Sequence, residues 1–220
     1  ESGWFEMRTS SLIARRLTDM GYEVLTGPDV CLGESRMGLP SDEELEKNYI
    51  RAKEQGADPE FIEKVKGGFT GVMAILRCGE GPAVALRFDI DALGVVEDAS
   101  SEHRPFREGF SSINPGMMHA CGHDGHASIG LGVADVLMAV KGDLRGTVKL
   151  IFQPAEEGVR GAKSIVDKGH LDGVNYVLAC HISGRESEED NVSDVTAGSG
   201  GSLATSKMDV FYYGKSAHAG

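Results

Sequence analysis

Residues 147–157 read TVKLIFQPAEE, a short apolar run that ends in a turn and two adjacent glutamates. A near-continuous apolar run of this length predicts a strand buried on both faces, as in a parallel sheet. An Ala/Leu/Val-rich helix is predicted before it over 125–140, and a helix over 159–168 and a strand over 174–180 are predicted after it. This strand–helix–strand alternation predicts an α/β sandwich whose sheet is at least partly parallel.

The first half of the chain predicts further elements of the same domain. Apolar residues at helical spacing predict a helix over 5–20, and YEVLTG at 22–27 predicts a short strand. A capping-box pattern and an Asp-Pro pair predict two helices within 41–66. The apolar runs at 72–77 and 83–88 are separated by CGEGP, which predicts a β-hairpin.

Composition excludes several classes of function. The net charge of −12 disfavours nucleic acid and anionic membranes as partners, and no apolar run approaches the length of a membrane span. The four cysteines are scattered, so we expect reduced thiols and a cytoplasmic location. A strand-like run stops just past its own turn at residue 220, so we expect the chain to be part of a longer protein.

Ionisable side chains follow three of the predicted strands. Asp89 and Asp91 follow the strand that ends at residue 88, Glu156 and Glu157 follow the strand quoted above, and His181 follows the strand at 174–180. Open α/β sheets bind ligands at the carboxyl ends of their strands. The sequence therefore predicts a site where these three strands end.

The segment MMHACGHDGH at 117–126 is the densest group of metal-seeking side chains. In an extended backbone Cys121 and His123 face the same way, and thiolate and imidazole suit Zn²⁺ and related ions. The alternative is that Cys121 is a small buried residue and His123 a histidine at a helix start. Four donors so close in sequence cannot all bind one ion, so we expect His119 and His126 to support ligands or to face the substrate.

The paired glutamates suit metal-assisted hydrolysis, because one carboxylate can bind a metal while the other acts as a general base. The alternative is two solvated glutamates in a loop. His181 is either the cap of a buried strand or a metal ligand. Asp89 and Asp91 could each orient a ligand imidazole.

These motifs, MMHACGHDGH, FDIDAL, IFQPAEEG and GKSAHAG, resemble in order and spacing those of the M20 metallopeptidase family, in particular its amidohydrolase branch. The segment at 35–70 resembles a helical insert of the aminobenzoyl-glutamate hydrolases of that family. The resemblance implies a three-layer α/β sandwich of the zinc-exopeptidase type over 1–198. It also implies that an inserted α+β dimerisation domain begins at 199–220.

The resemblance also implies roles for individual residues. Glu156 would be the general base, Asp91 would orient the metal site, and His218 would reach into a dimer partner's site to bind substrate. Many relatives have histidine in place of Asp89 and aspartate in place of Cys121, and a further histidine ligand downstream of residue 220. The metal ligands implied within this chain are Cys121, His123, Glu157 and His181.

The function implied by the resemblance is hydrolysis of the amide of an N-aroyl or N-acyl amino acid by two divalent ions, Mn²⁺ or Zn²⁺, with p-aminobenzoyl-glutamate as the leading substrate. The inserted domain would form a homodimer, or a heterodimer with a related subunit. An N-acyl-amino-acid or auxin-conjugate amidohydrolase is the nearest alternative. More remote alternatives are a metal-free thiol hydrolase that uses Cys121 with His123 or His126, and a non-catalytic subunit.

Overall fold

The computed structural model describes residues 1–182, 210, 211, 213 and 214. The chain divides after Ser183, and the fold below is that of the first unit, Glu1–Ser183. No helix in these described residues is long and apolar enough to cross a membrane. The helices and strands, in chain order, are α1 (Met7–Asp19), β1 (Glu23–Thr26), α2 (Asp42–Glu54), β2 (Val72–Arg77), β3 (Ala83–Asp89), α3 (Arg104–Arg107), α4 (His123–Ala139), β4 (Thr147–Gln153), α5 (Ala162–Asp167) and β5 (Tyr176–Ala179).

The five strands form one mixed sheet in the order β1-β2-β4-β3-β5. Strand β3 pairs in parallel with β4 and with β5, whereas β2 pairs antiparallel with β4 and with β1. The partly parallel α/β sheet expected from the sequence is therefore confirmed. Because β3, β4 and β5 run the same way, their carboxyl ends meet at one edge of the sheet.

The hairpin predicted between 72–77 and 83–88 is wrong, because β4 lies between these two strands. The backbone N–H of Cys78 donates to the carbonyl of Gly146 at 2.8 Å, and that of Thr147 donates to the carbonyl of Pro82 at 3.0 Å. Gly146 has a φ of +85° and no room for a side chain beside Pro82. Gly146 therefore lets β4 begin close to Pro82. Strand β4 then pairs with both β2 and β3, which the turn signal had predicted to pair with each other.

The second of the two helices predicted within 41–66 is also wrong. The first is α2, whose capping box of Ser41 and Glu44 is present. Residues 58–65 form turns instead, because Gly67 and Gly68, with φ of +70° and +76°, break the backbone directly after them. The Asp58 carboxylate caps these turns by accepting the backbone N–H groups of Glu60 and Phe61, each at 3.0 Å. That carboxylate also pairs with Arg15 of α1 at 2.8 Å, so the turn is held by α1.

The sheet is covered on both faces, which confirms the three-layer sandwich. On one face α1 and α4 pack against alternate residues of β2, β3 and β4, such as Leu76, Phe88 and Phe152. On the other face Ile165 of α5 and the segment around Val30 pack against the intervening strand residues. Side chains alternate between the two faces along each strand, so a near-continuous apolar run supplies both cores.

Helix α4 can approach the sheet closely because Gly130 faces it. A Cβ at Gly130 would lie 2.7 Å from Phe152 and 2.8 Å from Phe88, whereas a Cβ at Gly132 would meet no heavy atom within 4 Å. We expect Gly130→Ala to lower the free energy of unfolding by about 1–3 kcal/mol through overpacking. Gly132→Ala on the same helix is the matched control, and it should raise stability by about 0.5–1 kcal/mol. Urea unfolding of both variants tests this, and equal effects of the two would contradict the packing described.

Candidate metal centre

The ionisable residues predicted to form a site meet at the carboxyl edge of the sheet. Asp89 is the last residue of β3, Glu156 and Glu157 follow the end of β4, and His181 lies two residues beyond β5. The loop before α4 brings Cys121 to the same edge, and His123 begins the helix. Their donor atoms form three overlapping groups whose members lie within 4.8 Å of one another: Cys121/His123/His181, His123/Glu156/Glu157 and Asp89/His123/His126.

His123 is common to all three groups, and its ring is oriented by Asp91. The side chain is fully buried, and its Nδ1 lies 2.8 Å from the backbone carbonyl oxygen of Asp91 and 3.2 Å from Oδ1. A carbonyl oxygen only accepts hydrogen bonds, so Nδ1 carries a proton and Nε2 is the ring nitrogen that a metal could bind. Among the described residues Nε2 has no hydrogen-bond partner, and it lies 3.9 Å from Glu156 and 4.0 Å from Glu157.

Asp91 also fixes the glutamate turn. Its Oδ2 accepts the backbone N–H of Glu157 at 3.0 Å, so one carboxylate aligns both an imidazole and the turn after β4. Oε1 of Glu157 is buried and has no hydrogen-bond partner in the part of the chain that the structure describes. Asp91 therefore contacts both the His123 ring and the turn that carries Glu157, and its orienting role stays a prediction.

Cys121 and His181 face each other across the same opening. Nδ1 of His181 donates to the carbonyl oxygen of Ile182 at 2.7 Å, so Nε2 is the nitrogen that can accept a hydrogen bond or bind a metal. That Nε2 lies 3.5 Å from Sγ of Cys121. The thiol and the imidazole thus present soft and borderline donors to one point, as zinc-type ions require.

Four carboxyl groups, those of Asp89, Asp91, Glu156 and Glu157, surround His123 at this edge of the sheet. Burial, and then the charge of Asp89, raise the pKa of Glu156. Burial lowers the pKa of His123, but the hydrogen bond to Asp91 and the charges of Asp89 and Asp91 outweigh it and raise the pKa to about 9. Burial, and then the charge of Glu157, raise the pKa of Cys121. Converging lone pairs and excess negative charge therefore fit divalent cations.

One residue beside this site, Glu6, carries no recognisable signal in the sequence. Its side chain is fully buried, its Oε1 accepts the backbone N–H of Ala155 at 2.8 Å, and its Oε2 accepts the hydroxyl of Thr70 at 2.7 Å. Ala155 has a φ of +47°, an unusual backbone conformation for a residue other than glycine. Glu6 thereby anchors the turn that carries Glu156 and Glu157.

Burial, and then the charge of Asp91, raise the pKa of Glu6 to about 8. Between the ordinary glutamate pKa of 4.5 and this value, the folded state holds a proton that the unfolded state has lost. Stability should therefore fall as the pH rises through this window, by up to about 1.4 kcal/mol per pH unit. Glu6→Gln should remove that slope, and the exposed control Glu54→Gln should retain it. Urea unfolding at several pH values, with chelator present, tests this; an unchanged slope in Glu6→Gln would contradict it.

The remaining candidates lie around or outside this cluster. His119 lines a cavity of about 290 Å³ between α1 and α4, and burial lowers its pKa. His126 is fully buried and belongs to the Asp89/His123/His126 group, so it does not face the solvent. Asp89 is buried and forms an ion pair with Arg87. His218 and the predicted domain boundary at 198/199 lie outside the described residues.

Residues 85–215 match the model of peptidase family M20/M25/M40. The chain belongs to this family. The match includes Asp89, the Cys-Gly-His segment, the paired glutamates and His181, which confirms the resemblance read from the motifs.

Named M20 relatives are similar over the whole chain. It is 49% identical to the indole-3-acetyl-aspartic acid hydrolase of Enterobacter agglomerans and 48% identical to one of the subunits of the p-aminobenzoyl-glutamate hydrolase of Escherichia coli (strain K12). Each alignment covers 100% of this chain and 50% of the relative. The chain thus spans about half the length of these curated relatives.

Solved structures of M20 proteins share the fold. The aminobenzoyl-glutamate utilization protein from Klebsiella pneumoniae superimposes with a TM-score of 0.68 at 42% identity, over 83% of this chain and 40% of that one. The YXEP protein of Bacillus subtilis, described as a dinuclear metal binding peptidase of the M20 family, gives a TM-score of 0.59 at 30% identity, over 83% and 39%. Both similarities are high enough to support the sandwich fold.

Proposed function

We propose that the protein containing this chain is a metal-dependent amidohydrolase. The observation that carries the proposal is the convergence of two buried atoms that have no hydrogen-bond partner among the described residues, His123 Nε2 and Glu157 Oε1, beside the carboxylate of Glu156. A metal-binding edge next to a carboxylate of raised pKa is what metal-assisted hydrolysis requires.

Two divalent ions, either Mn²⁺ or Zn²⁺, would be held by four residues of this chain: Cys121, His123, Glu157 and His181. Bound there, the ions would polarise the scissile carbonyl and acidify a water. Asp91 keeps the His123 ring and the Glu157 turn in register, so the donors need little rearrangement on binding. The name of the Bacillus relative, a dinuclear metal binding peptidase, supports the number of ions.

Glu156 is the proposed general base. It lies beside His123 but is only half-buried, so it can reach both water and substrate. Its raised pKa brings it closer to neutrality, where a carboxylate can take a proton from the attacking water and return it to the leaving nitrogen. Glu157, whose backbone is held by Asp91, is free for metal binding.

The substrate class follows from the names of the relatives. Both describe hydrolysis of an aromatic acyl group joined to an acidic amino acid, p-aminobenzoyl-glutamate in one and indole-3-acetyl-aspartate in the other. We assign p-aminobenzoyl-glutamate first, because the relative from Escherichia coli and the solved structure from Klebsiella pneumoniae are both named for aminobenzoyl-glutamate, and the segment at 35–70 resembles the insert of those hydrolases. The indole conjugate is the second candidate, favoured by its equally high identity.

The metal-free thiol mechanism is disfavoured by the surroundings of Cys121. A nucleophilic cysteine needs a lowered pKa, supplied by a nearby positive charge or a helix N-terminus. Here burial and the charge of Glu157 raise the pKa of this thiol. The carboxylates around it are suited to binding a cation and would hinder formation of a free thiolate.

The proposal extends to the domains of the protein and to its partner chain. Residues 1–198 would belong to the catalytic domain and 199–220 to an inserted dimerisation domain that carries His218. The name of the Escherichia coli relative specifies one subunit of a hydrolase, which implies a further subunit and supports a heterodimer with a related chain over a homodimer.

The test is hydrolysis of three substrates by the full-length protein: p-aminobenzoyl-glutamate, indole-3-acetyl-aspartate and an N-acetyl amino acid. We expect p-aminobenzoyl-glutamate to be cleaved fastest, with activity lost to chelator and restored by Mn²⁺ or Zn²⁺. Faster metal-dependent cleavage of the indole conjugate would move the assignment to the second candidate. Chelator-resistant turnover would contradict the metal mechanism, and no turnover of any amide would favour a non-catalytic subunit.

A further inference from the structure

His126 is a fully buried imidazole that the proposed mechanism leaves without a role. Its Nε2 accepts the backbone N–H of Ile182 at 2.8 Å. A ring nitrogen that accepts a hydrogen bond carries no proton, so the neutral ring must be protonated on Nδ1. That Nδ1 lies 3.6 Å from Oδ1 of Asp89, a buried carboxylate paired with Arg87.

The backbone N–H that His126 holds belongs to the residue after His181. The two histidine rings also touch, edge to face, with centroids 4.7 Å apart and an interplanar angle of 72°. Ile182 packs against the first turn of α4 at Gly125, where any Cβ would overlap its side chain. His181 itself is exposed, so the contacts of Ile182 add to the few contacts that its own ring makes with His126 and Cys121.

We infer that His126 is a positioning residue for His181. Asp89 favours the Nδ1-protonated ring, and this tautomer leaves Nε2 free to hold the Ile182 amide. The hydrogen bond to Ile182 thereby fixes residues 181–182, with Nε2 of His181 directed at Cys121. This inference rests on the proposed function, because it assumes that His181 binds metal.

The competing role for His126 is that of a metal ligand. Its Nδ1 lies in the Asp89/His123/His126 group, whose donor atoms are within 4.8 Å of one another. A metal bound by Nδ1 would displace the proton that the positioning role requires there. The protonation state of Nδ1 in the metal-loaded protein therefore distinguishes the two roles.

The first experiment measures the tautomer of His126 by ¹⁵N NMR of its ring, in the full-length protein with and without Zn²⁺. We expect a proton on Nδ1 and an unprotonated Nε2 in both states. A proton on Nε2 without metal, or a Zn²⁺-bound Nδ1 with it, would overturn the inference. This measurement needs no variant and no substrate.

The second experiment compares His126→Leu, which removes both nitrogens at similar volume, with His126→Gln, whose amide oxygen can still accept the Ile182 N–H. Zn²⁺ affinity is measured by chelator competition, and hydrogen exchange at the Ile182 amide is followed in the metal-free protein. We expect the leucine variant to bind Zn²⁺ roughly 10–100-fold more weakly and to exchange faster at Ile182, with partial recovery of both in the glutamine variant.

Two results would contradict the positioning role of His126, and they can be told apart. Wild-type affinity and exchange in a folded His126→Leu would overturn the positioning role alone. Failure of the wild type to bind Zn²⁺ would instead overturn the proposed function, and with it the metal role of His181. If the leucine variant does not fold, the tautomer of His126 and the Zn²⁺ affinity of the glutamine variant still test the positioning role.

Discussion

Glu156→Gln is expected to lower kcat for p-aminobenzoyl-glutamate by about 10²–10⁴-fold, the usual contribution of a positioned general base. The amide has nearly the shape of the carboxylate but cannot take a proton from water. Glu156 is half-buried and 3.9 Å from His123, so the substitution leaves the turn and the hydrogen bonds of Asp91 in place.

The measurement combines steady-state kinetics with metal analysis. Glu156→Gln should bind as much metal as the wild type, so that the loss is confined to proton transfer. The exposed Glu102→Gln is the matched control and should retain full activity. A kcat within a few-fold of wild type would show that another group is the base.

A second large effect is expected at Cys121. Here two different substitutions distinguish a metal ligand from a thiol nucleophile. Cys121→Ala removes a proposed ligand and should lower kcat/KM about 100-fold or more, because metal ions supply several kcal/mol of transition-state stabilisation. Cys121→Asp restores an anionic oxygen donor that Mn²⁺ accepts readily. We therefore expect it to recover much of the activity when Mn²⁺ is added.

A thiol nucleophile predicts a different pattern for the same pair. Neither alanine nor aspartate could form a thioester, so both variants would be equally inactive and added metal would not help. Recovery in Cys121→Asp, lost again on chelation, supports a ligand role. Equal inactivity, together with wild-type turnover in chelator, would contradict it.

The sequence predicted the part of the fold that depends on local pattern. The apolar runs of β3, β4 and β5, each followed by ionisable residues, indicated both the parallel strands and the edge at which the site lies. Cys121 and His123 do belong to one donor group, but Gly122 between them has a left-handed backbone (φ +80°) at the start of α4, so the extended backbone expected for this segment is wrong. The features predicted correctly depend on neighbours in sequence, or on the general rule that parallel strands end together.

Pairing and burial between distant segments could not be predicted in the same way. The CGEGP segment has the composition of a hairpin turn, yet β4, far downstream in the chain, occupies the position between its flanking strands. Glu6 has the pattern of an ordinary polar residue before a helix, and only the fold brings it to Ala155. The contact from His126 to the Ile182 amide likewise joins residues 56 positions apart.

The most direct test of the central claim is to locate the metal ions. Crystals of the full-length protein loaded with Mn²⁺ or Zn²⁺ would give anomalous peaks at the metal absorption edge. We predict two peaks within bonding distance of donor atoms of Cys121, His123, Glu157 and His181, with Glu156 adjacent but not bound. A metal held instead by Asp89 and His126, or no metal at this edge of the sheet, would contradict the account.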